Sequence, residues 1–256
     1  MKNLRERILG GHTALGAWLS LGSGLTAEIV GGAGFDWCLI DLEHGAGDEQ
    51  QTLAQMQGLA ATGAAAMVRV ESHERQRVHR ILDMGAEGIM FPRLATPEEA
   101  QQAISAMRYQ PEGLRGVAKN VRASGFGVKF DDYFTHYKQR QIGIVQIENQ
   151  EILGHLDAVA ALDGVDVLFV GPMDLTMALG VFQQKSHPKY QDAIRNVAAA
   201  AHRAGKAAGV LMASADEFSM YHELGYRFIA CGSDSGFVVA GAQGTLAAMK
   251  KQIKTT

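Results

Sequence analysis

Eight short apolar runs, separated by segments with helical spacing, constrain the fold of this chain more than any other feature. The runs are ALGAWLS (14–20), DWCLIDLE (36–43), AAAMVRV (64–70), GIMFPRL (88–94), IGIVQIE (142–148), VDVLFVG (165–171), AAGVLM (207–212) and FIACGSD (228–234). Runs of this kind are typical of strands buried in a parallel sheet. Strands that alternate with helices form βαβ units. Eight such units in 256 residues predict one α/β domain over 1–256, a (β/α)8 TIM barrel.

The main alternative for this alternation is an open, doubly wound sheet. Because no Gly-x-Gly-x-x-Gly pattern follows the first run, the closed barrel is favoured. One segment departs from the alternation: residues 109–140, between the fourth and fifth runs, form a long insertion rich in glycine and charge. Long irregular connections in compact domains are usually functional lids or interface elements.

The composition excludes several classes of protein. The net charge is −3 and the pI is about 6.3, so the chain has no electrostatic footprint for nucleic acid. Both cysteines, Cys38 and Cys231, lie inside apolar runs, which argues against a disulfide framework or a thiolate metal cluster. No apolar run approaches the roughly 20 residues that span a bilayer. The N-terminal residues lack the apolar core of a signal peptide, so we expect a cytoplasmic protein without membrane contact.

Two of the apolar runs lead into a single carboxylate each, Glu148 after IGIVQI and Asp174 after VDVLFVGPM. Acids are almost never fully buried unless they are paired or bound to a metal. Two strand ends with one acid each predict a site for a hard divalent cation. The alternative for each residue alone is structural, because Glu148 can be the N-terminal acid of the next helix and Asp174 can cap a turn.

Other strand ends supply further polar groups at the same predicted edge. In barrel enzymes the active site lies at the C-terminal ends of the strands. His44 follows two acids in DLEHG, Arg69 ends an otherwise apolar run, and Gln146 shares a side with Glu148 because side chains alternate along a strand. Two of them have a structural alternative: His44 can be a satisfied structural histidine, and Arg69 an ordinary ion-pair partner. No lysine ends a run, which disfavours a Schiff-base mechanism.

The same motifs resemble a known family. DLEHG, the MVRV run, LDMGAEGIMFPRL, PEGLRG with RASGFG, VQIEN and VGPMDL occur in the order found in the HpcH/HpaI aldolases, from about residue 4 to residue 250. The chain looks like a class II, divalent-metal-dependent pyruvate aldolase of the 4-hydroxy-2-oxoheptanedioate aldolase type. The resemblance implies a (β/α)8 barrel whose C-terminal helix is exchanged between subunits. It also implies a homo-oligomer, a trimer or hexamer.

The resemblance implies a role for individual residues. Glu148 and Asp174 match the metal ligands, His44 the catalytic base, and Arg69 the residue that stabilises the enolate oxygen. The remaining matches are Asp41 and Asp83 as acids that raise the basicity of the histidine, Gln146 and Met173 as substrate-binding positions, and Trp18, Phe169 and Leu211 as positions that shape the aldehyde pocket. Met173 is a departure, because the family often has Ala or Ser there.

The resulting hypothesis is an aldehyde-lyase that reversibly cleaves 4-hydroxy-2-oxo acids to pyruvate, or a related 2-oxo acid, and an aldehyde. The implied cofactor is Mg²⁺, Mn²⁺ or Co²⁺. One alternative is a carbon–carbon lyase acting on CoA thioesters, like citrate-lyase β and malyl-CoA relatives, with Arg115, Lys119, Arg122 and Lys129 as a cradle for the CoA phosphates. The other alternative is a non-catalytic barrel that serves as a binding protein.

Overall fold

The strands close into a single barrel in the computed structural model, which describes residues 3–253. Each strand pairs in parallel with the next, and the last strand closes onto the first. The strands are β1 Ala14–Leu19, β2 Trp37–Asp41, β3 Ala65–Arg69, β4 Gly88–Phe91, β5 Ile142–Ile147, β6 Val167–Val170, β7 Ala207–Met212 and β8 Tyr226–Ser233. The predicted (β/α)8 barrel is therefore confirmed.

Helices connect the strands on the outside of the barrel. They are α1 Leu4–Leu9, α2 Gly24–Gly32, α3 Glu49–Ala60, α4 Arg75–Asp83, α5 Pro97–Ser105, α6 Phe130–Arg140, α7 Gln150–Leu153, α8 Leu156–Ala160, α9 Pro172–Ala178, α10 Pro188–Arg203, α11 Phe218–Glu223 and α12 Asp234–Ile253. Local sequence sets many of the starts. Asp48 and Gln51 form a reciprocal capping box at α3, and Thr96 caps α5 ahead of a proline in its first turn.

Two differences between the observed and the predicted elements bear on the function. The fourth apolar run extends to residue 94, but β4 ends at Phe91, because Pro92 has no N–H and Arg93 adopts a φ of 60°. The insertion at 109–140 is not wholly irregular: it contains a 3-10 turn, Arg122–Ser124, and ends in the 11-residue helix α6.

Two apolar layers stabilise the barrel. Side chains between strands and helices form the outer layer, and the inner layer fills the barrel around Trp18, Trp37, Phe169 and Phe228. The rings of Trp37 and Phe228 stack with their centroids 3.9 Å apart. Gly16 leaves room for this stack, since a Cβ there would lie 2.2 Å from the Trp37 ring. The interior is thus a packed core and leaves chemistry to the strand ends.

Helix α1 covers the N-terminal end of the barrel. Its Leu4 and Ile8 pack into the inner apolar layer. Arg5 forms an ion pair with the fully buried Asp166 at 2.8 Å. The carboxylate of Asp166 also accepts a hydrogen bond from the backbone N–H of Gly143. This end of the barrel is therefore closed, and the opposite end carries the polar strand termini.

Helix α12 packs little against its own barrel. Apart from the buried Asp234 at its start, its residues are largely exposed, including Phe237, Val239, Leu246 and Met249. Asp234 fixes the start of the helix, because its carboxylate accepts hydrogen bonds from the backbone N–H groups of Ser20 and Leu21.

Within residues 3–253, no helix combines the length and apolarity that crossing a bilayer requires. Both cysteines are free.

Candidate active site

The ends of β2 and β3 place a carboxylate and a guanidinium side by side at the barrel mouth. Asp41 and Arg69 are register partners in the sheet. Arg69 donates from Nε to Asp41 Oδ1 at 2.9 Å and from Nη2 to Oδ2 at 2.6 Å. Both residues are buried, and this fork geometry fixes the plane of the guanidinium. Burial lowers the pKa of Arg69, but the hydrogen bond and charge of Asp41 outweigh burial and raise it, so the group remains a cation.

The loop after β2 adds Glu43 and His44. Asp41 Oδ1 accepts the backbone N–H groups of both residues, which folds the loop tightly over the strand end. Glu43 Oε2 lies 3.0 Å from Arg69 Nη1 and 3.9 Å from His44 Nε2. The His44 side chain is 69% exposed, so its ring is open to a ligand at the mouth. Gly45 is required for this turn, because a Cβ there would lie 2.1 Å from the carbonyl oxygen of Asp41.

At the end of β5, Gln146 and Glu148 lie on the same side of the chain, as predicted from strand alternation. Glu148 Oε1 accepts the backbone N–H of Arg93 at 2.7 Å. Glu148 Oε2 accepts a hydrogen bond from Gln146 Nε2. The other polar atom of that amide, Gln146 Oε1, is buried without a partner in the described chain. Gly171 permits this approach, since a Cβ there would lie 2.7 Å from Gln146 Nε2.

Asp174 lies in the first turn of α9, directly after β6, and its side chain is exposed with no hydrogen bond or ion pair to residues 3–253. It lines a cavity of about 360 Å³ together with Glu43, His44 and Glu148. The cavity brings the two predicted carboxylates and the predicted base to one place. Within the described residues there is no cluster of three or more His, Cys, Asp or Glu side chains arranged for a metal ion.

Glu148 has a strongly perturbed acidity. Its pKa rises from 4.5 to about 7, chiefly because burial disfavours the anion, and the negative charges of Asp174 and Glu43 contribute to this rise. The Arg93 N–H and the charge of Arg69 oppose this rise. As an anion, a buried carboxyl group flanked by other carboxylates would be stabilised by a nearby cation. Perturbed acids of this kind are characteristic of functional sites.

The predicted pocket positions pack together beneath the polar groups. Trp18 and Phe169 have ring centroids 5.6 Å apart, and Leu211 packs against the same cluster. The guanidinium carbon of Arg69 lies 5.7 Å from the centre of the Trp18 ring. Both aromatic rings are buried, and the Trp18 ring lies against the guanidinium of Arg69. Met173 is half exposed in α9 next to Asp174, on the rim of the mouth.

Asp41 and Asp83, the two acids expected beside the His44 ring, make their contacts elsewhere. Asp41 contacts His44 through the backbone N–H of the histidine, and the acid nearest to the ring is Glu43. Asp83, at the end of α4, accepts a hydrogen bond from the buried Arg115 at 2.7 Å and lines a different cavity from His44. Within one described chain, Asp83 is therefore not brought to the histidine, and its role stays a prediction.

Some of the cations expected to form a cradle for the CoA phosphates have other partners in the described chain. Arg115 is occupied by Asp83 and by the hydroxyl group of Tyr133. Arg122 donates to the carbonyl oxygen of Met84. Lys119 lies near the Phe130 ring. At least two of the four proposed cations are thus engaged in structural contacts.

Two residues of the site, Glu43 and Arg93, received no role of their own from the sequence. Glu43 contacts both Arg69 and His44, and its position two residues after Asp41 places it on the same side of the strand end. Arg93 contributes a backbone N–H to Glu148 and lines the same cavity. The positive φ of Arg93 has no signal in the sequence, and only Pro92 before it indicates that the strand ends.

Comparison with known proteins gives consistent results. The sequence model of the HpcH/HpaI aldolase/citrate lyase family matches residues 14–240. The chain is 40% identical over 237 residues to the 5-keto-4-deoxy-D-glucarate aldolase of Salmonella arizonae, covering 93% of this chain and 92% of the relative. The solved structure of an HpcH/HpaI aldolase/citrate lyase family protein from Burkholderia cenocepacia J2315 superposes with a TM-score of 0.92 at 36% identity, covering 98% of this chain and 100% of that one.

A second solved structure, the HpcH/HpaI aldolase from Desulfitobacterium hafniense DCB-2, superposes with a TM-score of 0.88 at 28% identity, covering 100% of this chain and 98% of that one. Similarity to named aldolases over nearly the whole chain, together with an acidic barrel mouth, identifies the protein as a carbon–carbon lyase. The chain belongs to the HpcH/HpaI aldolase/citrate lyase family.

Proposed function

We propose that this protein is a metal-dependent aldolase that reversibly cleaves 4-hydroxy-2-oxo acids to pyruvate, or a related 2-oxo acid, and an aldehyde. The observation that carries the proposal is the convergence of Glu148, Asp174, Arg69 and His44 on one barrel mouth. A 2-oxo acid carries a carboxylate beside a carbonyl, and cleavage leaves negative charge on the carbonyl oxygen. A mouth that combines cation ligands, a fixed guanidinium and an imidazole suits that substrate.

The residues fit a divalent cation held by Glu148 and Asp174. Asp174 has no partner within the described chain, and the unpartnered Gln146 Oε1 is a free acceptor beside Glu148. Mg²⁺ is usually bound by one or two carboxylates and completes its coordination with water and substrate, so a two-carboxylate site suits it, and Mn²⁺ or Co²⁺ can occupy a similar site. A bound cation would act as a Lewis acid for the enolate charge.

Arg69 is fixed in a position to stabilise the developing negative charge. A guanidinium has five N–H donors, and three of the five on Arg69 are directed to Asp41 and Glu43. The remaining two are available for a substrate oxygen. Because Asp41 fixes the plane of the group and Trp18 lies beneath it, Arg69 does not have to reorganise as charge develops.

His44 is the group we assign to proton transfer. Its ring is largely exposed at the mouth, where it can accept the proton of the 4-hydroxyl group during cleavage. Glu43 Oε2 lies 3.9 Å from Nε2 and is the carboxylate nearest to the ring. Glu43 thereby links the base to Arg69. We propose that it takes the role that the resemblance implied for Asp41.

The direct test is pyruvate release from a 4-hydroxy-2-oxo acid, coupled to NADH oxidation by lactate dehydrogenase. We expect activity to disappear with EDTA and to return with Mg²⁺, Mn²⁺ or Co²⁺. Glu148→Gln and Asp174→Asn should be inactive with any of these ions, whereas Glu28→Gln, an exposed position on α2, should match the wild type. Activity that survives both chelation and Glu148→Gln would overturn the assignment.

We also propose that the protein is a homo-oligomer in which α12 packs on a neighbouring subunit. The exposed apolar side chains of α12 support this, and so do Leu25 and Ile29, which leave an apolar face on α2 exposed. Exposed apolar patches on a protein surface commonly mark sites where another protein binds. Val239→Glu combined with Leu246→Glu should lower the mass measured by light scattering, and an unchanged mass would contradict the exchange.

Two free cysteines suit the reducing cytoplasm that we propose as the location.

A further inference from the structure

Arg93 is a residue of the mouth that the proposed chemistry does not use. It follows β4 and adopts a φ of 60°, a conformation that few residues other than glycine take up. Such conformations persist where the surroundings enforce them, and they cluster at functional sites. The backbone has an evident task, because the Arg93 N–H holds Glu148 Oε1 at 2.7 Å. Any non-proline residue could supply that N–H, and glycine would do so with less strain, so the backbone contact does not explain an arginine.

The charged residues that line the cavity indicate a role for the Arg93 side chain. Glu43, Glu148 and Asp174 line it, and its lining includes a single Lys or Arg among the described residues, Arg93. The guanidinium of Arg93 forms no ion pair or hydrogen bond with residues 3–253, although three carboxylates line the same cavity. Arg69, the other guanidinium of the mouth, is held by Asp41 and Glu43. Among the described residues that line this cavity, Arg93 is therefore a cation without a protein partner, and it can bind a ligand.

We propose that Arg93 is a specificity-determining residue, which binds a carboxylate at the far end of the substrate, on the part that leaves as the aldehyde. This rests on the proposed aldolase function, in which Arg69 and the Glu148–Asp174 pair bind the 2-oxo acid end. A guanidinium binds a terminal carboxylate through two parallel N–H···O hydrogen bonds. The cavity of about 360 Å³ lies at the small end of the range for ligand sites, which suits a short diacid.

Binding of unreactive analogues tests this without turnover. Calorimetry in Mg²⁺ would compare 2-oxoglutarate with 2-oxopentanoate, which have the same chain length and differ in the terminal carboxylate. We expect the wild type to bind the diacid about tenfold tighter, from a charge-assisted contact at an exposed site. Arg93→Gln should abolish the preference. Arg93→Gly keeps the backbone N–H and accepts the positive φ, so it should also bind the two analogues equally. It provides the test if the glutamine variant folds poorly.

A kinetic comparison assigns the contact to one end of the substrate. For aldol addition of pyruvate, Arg93→Gln should lower kcat/KM with succinic semialdehyde about tenfold and leave butanal within about twofold. The control Arg195→Gln removes an exposed arginine that pairs with Asp192 on α10 and should change neither value. Equal losses with both aldehydes would overturn the proposal, because Arg93 would then serve the shared 2-oxo acid end.

Failure of the inference and failure of the proposed function give different results. A wild type that cleaves 4-hydroxy-2-oxo acids but binds 2-oxoglutarate and 2-oxopentanoate equally would refute the role of Arg93 alone. A wild type that prefers the diacid, loses this preference in Arg93→Gln and yet releases no pyruvate from any 4-hydroxy-2-oxo acid would refute the aldolase chemistry and leave Arg93 as an anion-binding residue.

Discussion

The buried carboxyl group of Glu148 predicts an unusual pH dependence of stability in the absence of a divalent cation. Its pKa rises from about 4.5 to about 7 on folding, chiefly because burial disfavours the anion. Between these values the folded protein keeps a proton that the unfolded chain has released, so the free energy of unfolding falls as pH rises through this window. At 1.36 kcal/mol per pKa unit, the loss is about 3 kcal/mol, complete above pH 7.

The substitution Glu148→Gln removes this loss and preserves the local hydrogen bonds. The introduced amide oxygen can accept the N–H of Arg93. Gln146 Oε1 has no partner in the wild type. If the Gln146 amide rotates by 180°, this oxygen can accept a hydrogen bond from the introduced NH₂ group. Between pH 5 and pH 8 we therefore expect the wild type to lose about 2.5 kcal/mol of unfolding free energy that the variant keeps.

The assay is urea unfolding in EDTA at pH 5 and pH 8, at one protein concentration because oligomerisation contributes to stability. Glu28→Gln, on the exposed side of α2, should keep the pH dependence of the wild type. Adding Mg²⁺ at pH 8 should stabilise the wild type and leave Glu148→Gln unchanged. If the wild type and Glu148→Gln lose stability in parallel from pH 5 to pH 8, the reasoning about Glu148 is wrong.

Three further predictions follow from single contacts. Arg69→Lys cannot reproduce the fork to Asp41 and should lower kcat at least about 100-fold, while Arg69→Gln leaves buried carboxylates unpaired and should also cost about 3–5 kcal/mol in urea unfolding; wild-type kcat in Arg69→Lys would contradict this role. Gly45→Ala places a Cβ 2.1 Å from the Asp41 carbonyl oxygen and should reduce kcat, whereas Gly32→Ala, where a Cβ meets nothing within 4 Å, should leave kcat unchanged; equal effects of the two would refute the packing argument. Asp166→Ala removes the partner of Arg5 under the barrel and should lower the free energy of unfolding by about 2–4 kcal/mol without changing KM, which unfolding and steady-state kinetics would measure.

The sequence predicted the barrel because its signals are strong and local. Each strand is a short apolar run, and runs such as 142–148 and 207–212 correspond closely to β5 and β7. The strand-end rule then placed Glu148, Asp174, His44 and Arg69 at one mouth, since parallel strands end at the same edge. This part of the site depends on topology alone, which the alternation of elements already determines.

The remaining features depend on side-chain packing that no pattern in the sequence encodes. The sequence showed two acids before His44 but not which of them approaches its ring: Asp41 pairs with Arg69, whereas Glu43 lies near both Arg69 and the histidine. The conformation of Arg93 depends on its hydrogen bond to Glu148, 55 residues away. Asp83 was assigned by resemblance alone, and in the described chain it pairs with Arg115 in the insertion.

The most direct test of the central claim is enolisation of pyruvate at this site, which does not depend on the identity of the aldehyde. Exchange of the pyruvate methyl protons in D₂O can be followed by proton NMR with Mg²⁺ present. We predict that the wild type exchanges these protons and that EDTA, Glu148→Gln or Asp174→Asn stops the exchange. Exchange at the wild-type rate in Glu148→Gln, or in EDTA, would contradict a cation site at Glu148 and Asp174 as the centre of the chemistry.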